Sequence, residues 1–575
     1  MGLIDRRIGL LFVVFVALLL IALSRAFYLG TIEAGTLKAD AATQQVTTIP
    51  VPSVRGTISD ANGTELAVSE TADDVTADPY LLNGHEQRDA ALLAPLLGLP
   101  EPKVLAGLDV KSGFVYLAHA LPTAQAKAIM RLRLPGVGLV PEVTREYPEG
   151  PLASQVIGSV NAADQGFSGL EYLYNRILGG QSGERRVVSD ALGQPISIDD
   201  VHSAVAGRSI KLTIDSALQA EVEQVLANVG TTYAPKGATA IVMNPNTGAV
   251  LALANWPAVD ANTVSGANPN GISNADLPNL EDRAVEFNYE PGSTFKAVTV
   301  AGALQDGTIT PSTAFDIPPY LQVYNQRIHD AEDHGYETLT VAQIIQYSSN
   351  IGADEIAIHK LGAARLSYWV HRFGFGSLTG VDLPGEEPGV VPPLSQWSGT
   401  TIATVPFGQG LEVTPIQIAA AYAAIANGGI LRTPHIVQAI AGKPVPLPRG
   451  HRIISESVAS DMRQMLRGVY ADGGTASGAA ISGFDLAGKT GTANVVVDGK
   501  YSKTDYIASF VGFVPASAPK LEVMVLVDDP SQDSYYGGTV AAPAFAQIVG
   551  WAVPYLGINP CPAPCMPAAP SLVQP

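Results

Sequence analysis

Cysteine is nearly absent from this chain. Only Cys561 and Cys565 occur among its 575 residues, both in the string CPAPC near the C-terminus. Because the rest of the chain has none, neither a disulfide framework nor a cysteine metal site can support the fold. The pair could close a small ring in an oxidising compartment, although we favour a tail segment without a function.

Positive charge is scarce as well. Lys and Arg total 34 against 53 Asp and Glu, which gives a formal net charge of −19. That balance repels nucleic acid and argues against a DNA- or RNA-binding role. It offers no strong attraction to anionic lipid either, so any membrane association has to be hydrophobic.

The sequence also lacks the signature strings of several enzyme classes. It has no G-x-S-x-G string, so a Ser-His-Asp hydrolase is not supported, and it has no glycine-rich phosphate loop. The segment His329–His334 contains two His and three acids, but it lacks the ordered H-E-x-x-H spacing of a zinc site. The sequence therefore predicts no metal site and no cofactor.

One long apolar run is present near the N-terminus. Residues 8–23 form 16 consecutive apolar positions, preceded by Arg6 and Arg7. At ~1.5 Å per residue the run spans ~24 Å, and Arg25 can snorkel so that the helix crosses a ~30 Å hydrocarbon core. The arginines favour a cytoplasmic N-terminus. We expect a single-pass anchor with an extracytoplasmic catalytic part, and a cleaved signal peptide is the alternative.

Local patterns predict an α+β protein. The pair Asn62–Gly63 predicts one hairpin and the turn Asn246–Gly248 a second. Residues 415–426 predict a helix, and residues 505–514 and 520–527 predict strands. Strands at both ends of a unit with helices between them favour a sheet that joins distant parts of the sequence.

Three short strings follow one another in the second half of the chain. They are STFK at Ser293–Lys296, SSN at Ser348–Asn350 and KTGT at Lys489–Thr492, separated by 55 and 141 positions. A lone Ser-x-x-Lys is usually an ordinary helix start, but the ordered set is the signature of penicillin-binding proteins and class A β-lactamases. The strings predict a serine acyl-transferase that acts on D-Ala-D-Ala peptides and is acylated by penicillin.

The first string predicts a nucleophile and its base. Ser293 and Lys296 lie three positions apart, so on a helix the amine can reach the serine oxygen. The preceding Glu290–Gly292 predicts a helix start, which leaves the Ser293 N–H free to face an oxyanion. For Lys296 to act as a base near pH 7, burial or a nearby cation has to lower its pKa, and Lys489 is a candidate cation.

The second string predicts groups in the same cleft. Ser348 could relay a proton between Lys296 and the leaving amine, and Asn350 could hold a substrate amide. Taken alone, the string would be explained as a helix cap.

The third string predicts a substrate-binding edge strand that adds the substrate backbone to a sheet. Lys489 and Thr490 are expected to bind the terminal carboxylate of the stem peptide. Gly491 permits close approach of another chain, and the Thr492 N–H could be the second oxyanion donor.

Beyond these strings, the sequence resembles the class B penicillin-binding proteins, the monofunctional peptidoglycan D,D-transpeptidases. RGTISDANGTELA from Arg55, REYP at Arg145–Pro148 and GFSGLE at Gly166–Glu171 resemble the N-terminal boxes of that family, although Ala61 replaces a frequent Arg. The catalytic blocks are matched by YEPGSTFK, YSSN, FGQGLEVTP, GKTGTA and VDDPSQDSYYGGTVAAPAF.

The resemblance implies the domain organisation. An N-terminal transmembrane helix leads to an elongated α+β pedestal, and a transpeptidase domain with a helix-packed antiparallel sheet and a helical subdomain follows. The expected ranges are 1–30 for the tail and anchor, 31–230 for the non-catalytic pedestal, 235–556 for the transpeptidase domain and 557–575 for a Pro-rich tail. Arg55, Arg145 and Glu171 are implied to form a buried structural ion-pair network.

The resemblance also implies the reaction and the partners. Ser293 attacks the penultimate D-Ala carbonyl and releases D-Ala, and an amine of a neighbouring stem peptide resolves the acyl-enzyme, whereas β-lactams acylate Ser293 and stay. The segment Phe373–Glu386 and the modest pedestal favour the division type, which works with a membrane-embedded glycan polymerase. The elongation type is the alternative.

Three rival functions share the strings. A class A β-lactamase uses a Glu on a loop, but no E-x-x-L-N string occurs between Asn350 and Lys489. A D,D-carboxypeptidase fits the active-site strings, but the N-terminal boxes argue against it. A non-enzymatic scaffold that kept the fold is disfavoured by the intact strings.

Overall fold

The structure is a computed structural model that describes residues 2–35, 46–82, 84–189, 195–264, 277–497 and 499–560. Most of the expected tail over 557–575, together with Cys561 and Cys565, lies outside the described residues. The possible disulfide between these cysteines therefore rests on the sequence alone.

The described residues contain both strands and helices throughout. The strands are β1 (Val46–Val51), β2 (Ile58–Ser59), β3 (Glu65–Ala77), β4 (Val115–Pro122), β5 (Val137–Glu146), β6 (Gly183–Ser189), β7 (Pro195–His202), β8 (Ile210–Leu212), β9 (Gly237–Met243), β10 (Val250–Trp256), β11 (Ala314–Ile317), β12 (Leu321–Val323), β13 (Gln326–Ile328), β14 (Glu337–Thr340), β15 (Ile430–Leu431), β16 (Val437–Ile440), β17 (Lys443–Pro444), β18 (His451–Arg452), β19 (Ala487–Val497), β20 (Lys500–Val514) and β21 (Leu521–Asp528).

The helices range from one turn to 30 residues. They are α1 (Gly2–Thr31), α2 (Glu86–Leu97), α3 (Glu101–Leu108), α4 (Thr123–Arg131), α5 (Ser154–Ile157), α6 (Gly169–Leu173), α7 (Asn175–Leu178), α8 (Ser216–Tyr233), α9 (Ala261–Val264), α10 (Arg283–Glu286), α11 (Lys296–Gln305), α12 (Val341–Tyr347), α13 (Asn350–Ile356), α14 (Gly362–Arg372), α15 (Pro415–Ala426), α16 (Glu456–Arg467) and α17 (Gly537–Tyr555).

Helix α1 contains the apolar run. Its segment Arg6–Thr31 is long and apolar enough to cross a membrane, and none of its most apolar stretch is buried by the rest of the chain. An exposed apolar surface of this length needs a non-aqueous surrounding. The finding agrees with the predicted membrane helix.

The described residues divide into two compact units. The first comprises Met1–Val54, Glu70–Thr144 and Gly180–Gly207, and the second comprises Arg55–Ser69, Arg145–Gly179 and Arg208–Pro575. Both units include residues of the interval 31–230, and the expected domain ranges stay predictions. Segments of the first unit alternate along the chain with segments of the second. Contiguous sequence ranges cannot represent such an arrangement.

The first unit combines two groups of strands with short helices. Strands β1, β6 and β7 form an antiparallel three-stranded sheet. The part of β3 that belongs to this unit pairs with β4, and β5 also pairs with β3. Buried Val75, Leu93, Leu108 and Ile129 belong to one apolar cluster. Strand β4 was not predicted, because its sequence VYLAHALP lacks a strict alternation of apolar and polar residues.

The second unit is built on an antiparallel five-stranded sheet. Its strand order is β10-β9-β21-β20-β19, so strands near residue 240 lie beside strands near residue 520. This confirms the prediction of a sheet that joins distant parts of the sequence. Strand β19, which carries KTGT, lies at one edge of the sheet.

Several elements of the second unit form as predicted. The turn Asn246–Gly248 joins β9 and β10, and Gly248 has a φ of 82°, where a side chain would also meet the Thr433 carbonyl oxygen. Helix α15 has the predicted bounds, because it begins with a proline in front of an Ala-rich run and the Thr414 N–H donates to Gln417 Oε1 at 3.0 Å. The helices α11 and α15 are almost wholly buried, whereas α17 has one buried side and several exposed residues.

One predicted helix is broken. The spacing of apolar residues in 166–180 predicts a single helical face, with Leu170, Leu173, Tyr174, Ile177 and Leu178. Two short helices, α6 and α7, occur instead, with Tyr174 between them, and Leu173 is exposed. Glu171, within α6, is fully buried and pairs with two arginines.

Candidate active site

Ser293 lies in a tight turn at the start of a buried helix. A 3-10 turn over Gly292–Phe295 continues directly into α11, which begins at Lys296. The predicted helix start is therefore present. The turn is held from outside, because the Tyr422 hydroxyl donates to the Thr294 carbonyl oxygen at 2.7 Å. Ser293 itself is only half-buried, so its hydroxyl is open to a ligand.

Lys296 contacts one polar side chain of the first string and two of the second. Its Nζ lies 2.9 Å from Ser293 Oγ, 3.1 Å from Ser348 Oγ and 2.7 Å from Asn350 Oδ1. The main-chain oxygen of Ser348 is a fourth neighbour. The structure thus brings together the predicted site residues of the first two strings.

Burial sets the electrostatics of this lysine. Burial lowers the pKa of Lys296 to about 7, and the negative charges of Asp330 and Asp354 oppose the shift. Burial, one of the two causes that the sequence interpretation considered, is therefore the main one. Burial, and after it the charge of Lys296, lowers the pKa of Lys489 well below its ordinary value.

The SSN string forms the turn between α12 and α13. Ser348 ends α12 in the left-handed region with a φ of 63°, and Ser349 caps α13 by accepting from the Gly352 N–H at 2.9 Å. Asn350 donates from Nδ2 to the His329 carbonyl oxygen at 2.9 Å while its Oδ1 faces Lys296. Both the predicted cleft position and the helix cap are present.

Asp330 holds this turn from the preceding loop. Its Oδ1 accepts from the main-chain N–H of Asn350 and, at 3.0 Å, from that of Ile351. Its Oδ2 accepts from the Ser349 hydroxyl at 2.7 Å and lies 3.1 Å from His334 Nε2. In the sequence, this segment stands out only for its two His and three acids, whose spacing does not fit a zinc site. No local pattern connects it to a turn about 18 residues later, since turns of this kind are recognised from adjacent residues.

The KTGT string lies along the edge strand β19. Lys489 is fully buried, with Nζ 3.2 Å from the Thr490 carbonyl oxygen and 3.3 Å from Thr490 Oγ1. The Thr490 hydroxyl also pairs with that of Thr475 at 2.8 Å. Thr492 Oγ1 accepts from the Gly537 N–H at 3.0 Å, which connects the strand to the start of α17.

Gly491 allows this strand to lie against the Ser293 turn. A Cβ there would be 2.3 Å from Ser509 Oγ and 3.0 Å from Thr294 Cγ2, too close for any larger residue without a shift. This close approach is made by residues of the same chain, and the approach of another chain stays a prediction. Gly408 has a similar function on the other side, where its φ is 84° and its Cβ would meet the Gly292 carbonyl oxygen at 2.2 Å.

Arg55, Arg145 and Glu171 meet in the interior of the second unit. Arg55 Nε lies 2.5 Å from Glu171 Oε2, and Arg145 Nε lies 2.7 Å from Glu171 Oε1. The side chains of both ion pairs are fully buried. Arg55 also donates to Asn175 Oδ1 at 2.8 Å and to the Asp164 carbonyl oxygen at 3.1 Å. The implied ion-pair network is present.

Two protein families match this chain. Residues 238–550 match the Penicillin binding protein transpeptidase domain, and residues 50–212 match the Penicillin-binding Protein dimerisation domain. The transpeptidase match includes all three strings.

Individual relatives agree over most of their length. The chain is 34% identical to the peptidoglycan D,D-transpeptidase FtsI of Escherichia coli over 94% of this chain and 90% of the relative. It is 35% identical to stage V sporulation protein D of Bacillus subtilis, over 89% and 80%. The solved structure of penicillin binding protein 3 of Mycobacterium tuberculosis with aztreonam superposes with a TM-score of 0.69 at 27% identity, over 89% of this chain and 98% of that one.

A peptidoglycan synthetase of Bifidobacterium adolescentis has the same fold. Its TM-score is 0.72 at 29% identity, over 90% of this chain and 98% of that chain. With both domains matched in order and relatives above 30% identity over nearly their full length, the chain belongs to the class B penicillin-binding proteins, the monofunctional peptidoglycan D,D-transpeptidases.

Proposed function

We propose that Ser293 is the nucleophile of the transpeptidase reaction and Lys296 its general base. The observation that carries this assignment is the 2.9 Å contact between Ser293 Oγ and the Nζ of a fully buried lysine. A neutral amine has two N–H donors and one lone pair. Asn350 Oδ1 and the Ser348 main-chain oxygen can accept the two N–H groups, so the lone pair is left for the serine proton.

The remaining residues receive roles from their positions. Ser348 Oγ, 3.1 Å from Lys296 Nζ, relays a proton to the leaving amine. Asn350 has one amide N–H besides the one bound to His329, and this group holds a substrate carbonyl.

The edge strand β19 binds the stem peptide. An extended peptide can add to its outer edge through main-chain hydrogen bonds. Lys489 and Thr490 bind the terminal carboxylate, whose negative charge favours the protonated form of the buried lysine. The N–H groups of Ser293 and Thr492 stabilise the oxyanion, and Gly491 keeps the two donors close.

The reaction proceeds in two steps. In the first, Ser293 Oγ attacks the penultimate D-Ala carbonyl carbon, its proton passes to Lys296, and the bond to the terminal D-Ala breaks. The leaving nitrogen is protonated through Lys296 or Ser348, and an ester on Ser293 remains. In the second, an amine of another stem peptide attacks the ester, and Ser293 Oγ leaves and regains a proton. One D-Ala is released for each crosslink.

Intact-mass measurement with benzylpenicillin tests the assignment. The purified chain is compared with Ser293→Ala and with Ser312→Ala, an exposed serine control. We expect one stable adduct on the wild type and on Ser312→Ala, and none on Ser293→Ala. Consumption of penicillin without an adduct would indicate a hydrolase, and neither adduct nor consumption would indicate a scaffold; either result contradicts the proposal.

A second measurement separates crosslinking from carboxypeptidase action. A D-Ala-D-Ala stem peptide is incubated with the chain, with and without an acceptor amine. A new amide product alongside released D-Ala is expected, whereas D-Ala release to water alone would identify a carboxypeptidase.

We further propose that the reaction serves septal wall synthesis together with a membrane-embedded glycan polymerase. The resemblance of Phe373–Glu386 to the division type and the similarity to FtsI support this role. A fluorescent fusion is expected to concentrate at the division site, and an even distribution along the lateral wall would favour the elongation type.

The proposed location is the plasma membrane, with the catalytic unit outside the cytoplasm. Arg6 and Arg7 before the span support this orientation. A reporter enzyme that is active only outside the cytoplasm, fused after residue 560, should be active. An inactive reporter would mean the opposite orientation.

A further inference from the structure

Three side chains with ligand atoms converge on neighbouring strands of the first unit. Asp74 lies on β3, His119 on β4 and Glu142 on β5. One nitrogen or carboxylate oxygen of each lies within 4.8 Å of those of the other two. No string in the sequence marks these residues, because each belongs to a different strand.

The backbone is shaped around this cluster. The pairing of β3 with β4 shifts register between Asp73 and Val75, so Asp74 lies in a bulge. Bulges re-aim a side chain and recur next to functional sites. Ala120, directly after His119, has a φ of 56°, and its N–H donates to Asp74 Oδ1 at 2.9 Å. A left-handed alanine is strained and has to be held by its surroundings.

One buried carboxylate oxygen of the cluster has no hydrogen-bond partner. Asp74 is 6% exposed, and its Oδ2 contacts His119 Nδ1 at 2.8 Å. Glu142 Oε2 is buried and has no hydrogen-bond partner. Two carboxyl groups that face each other in this way need either a proton or a cation between them.

We propose that Asp74, His119 and Glu142 bind a divalent transition-metal ion of the zinc class. One imidazole nitrogen and two carboxylate oxygens are donors that Zn²⁺ accepts, whereas Mg²⁺ and Ca²⁺ prefer oxygen alone. The His119 side chain is 65% exposed, so water completes the coordination on the solvent side. The ion connects β3, β4 and β5, and it is independent of the transpeptidase site.

Calorimetric titration of the metal-free, detergent-solubilised full chain with zinc chloride tests the proposal. We expect one ion per chain with micromolar affinity. Because even substitutions behind a metal ligand cost roughly 10–100-fold in affinity, His119→Ala and Glu142→Gln should each lose at least ~100-fold. The exposed His85 of the same unit supplies the control His85→Ala, which should bind as the wild type does.

Thermal unfolding supplies the second measurement. Zinc should raise the melting temperature of the wild type and of His85→Ala, and leave those of His119→Ala and Glu142→Gln unchanged. Acylation by a fluorescent penicillin reports that each variant is folded. Binding only at millimolar zinc, or binding that is lost in His334→Ala and kept in His119→Ala, would overturn the proposal. A wild type without any zinc response would also overturn it, and the carboxyl pair would then share a proton.

Discussion

Two opposing influences decide whether Lys296 is charged. Burial favours the neutral amine, whereas Asp330 and Asp354 favour the ammonium ion. Asp354 is itself fully buried, its carboxylate oxygens have no hydrogen-bond partner, and burial raises its pKa well above the ordinary value. Such strongly perturbed groups beside a nucleophile are typical of catalytic sites. Small changes around Lys296 should therefore alter the pH at which it can accept a proton.

The pH dependence of acylation checks this at the residue scale. Because Lys296 has a pKa of about 7 and acts as the free base, acylation by benzylpenicillin should be slow in acid and rise through about pH 7. Asp354→Asn removes a group that favours the ammonium ion, so the midpoint should fall, by up to ~1 unit. The rate is measured with a fluorescent penicillin across the pH range.

The exposed Asp461→Asn provides the control, since Asp461 contributes to the pKa of neither Lys296 nor Asp354. Its midpoint should equal that of the wild type. A midpoint in Asp354→Asn that is unchanged or higher would contradict the assignment of Lys296 as the titrating base.

At the scale of elements, the turn between α12 and α13 holds Ser348 and Asn350 against Lys296. Ser348 is in the left-handed region, which is unfavourable for serine, so the turn needs outside support. The Asp330 carboxylate provides it by accepting from two main-chain N–H groups and one hydroxyl. Asp330 is thus a positioning residue, because it touches neither Ser293 nor Lys296 through a hydrogen bond among the described contacts.

Asp330→Asn should slow acylation without unfolding the chain. An amide keeps one acceptor oxygen, and the lost charge-assisted hydrogen bonds are worth about 1.5–3 kcal/mol each. If one such bond stabilises the transition state of acylation and not the ground state, its loss should slow acylation at least ~10-fold. Asp333→Asn, an exposed acid in the same loop, is the matched control. A variant that acylates at the wild-type rate would show that the turn holds its shape without Asp330.

At the scale of the whole molecule, one buried ion-pair network connects segments of the second unit that are distant in sequence. Glu171 follows Arg55 by 116 positions and Arg145 by 26. Two guanidinium groups share a single carboxylate in the interior, so each depends on that carboxylate for its partner. The network therefore stabilises the unit as a whole rather than one helix or strand.

Glu171→Gln should lower the free energy of unfolding of the chain by ~3–5 kcal/mol, because two buried positive charges would lose their partner. Urea unfolding followed by circular dichroism measures the loss. Glu149→Gln, at an exposed position, should change little. A loss below ~1 kcal/mol would mean that water or Asp164 replaces the carboxylate.

Local patterns were sufficient for much of this protein. The hairpins at Asn62–Gly63 and Asn246–Gly248, helix α15 and strands β20 and β21 lie where the sequence predicts them, because turn chemistry, capping and apolar periodicity act between near neighbours. The three strings identified the chemistry for the same reason, since each is four residues or fewer. Membership of the family follows from them and from the N-terminal boxes.

Only the tertiary structure decided the pKa values and the long-range contacts of those groups. The pKa of Lys296 depends on burial, which is a property of packing and has no counterpart in a string of letters. The hydrogen bonds of Asp330 to the turn at Ser349 join residues from separate elements, and so does the Asp74–His119–Glu142 cluster. The apolar spacing of 166–180 does not show that the helix is interrupted at Tyr174. The sequence by itself determined which reaction this protein is equipped for, and long-range packing determined the environment in which its residues work.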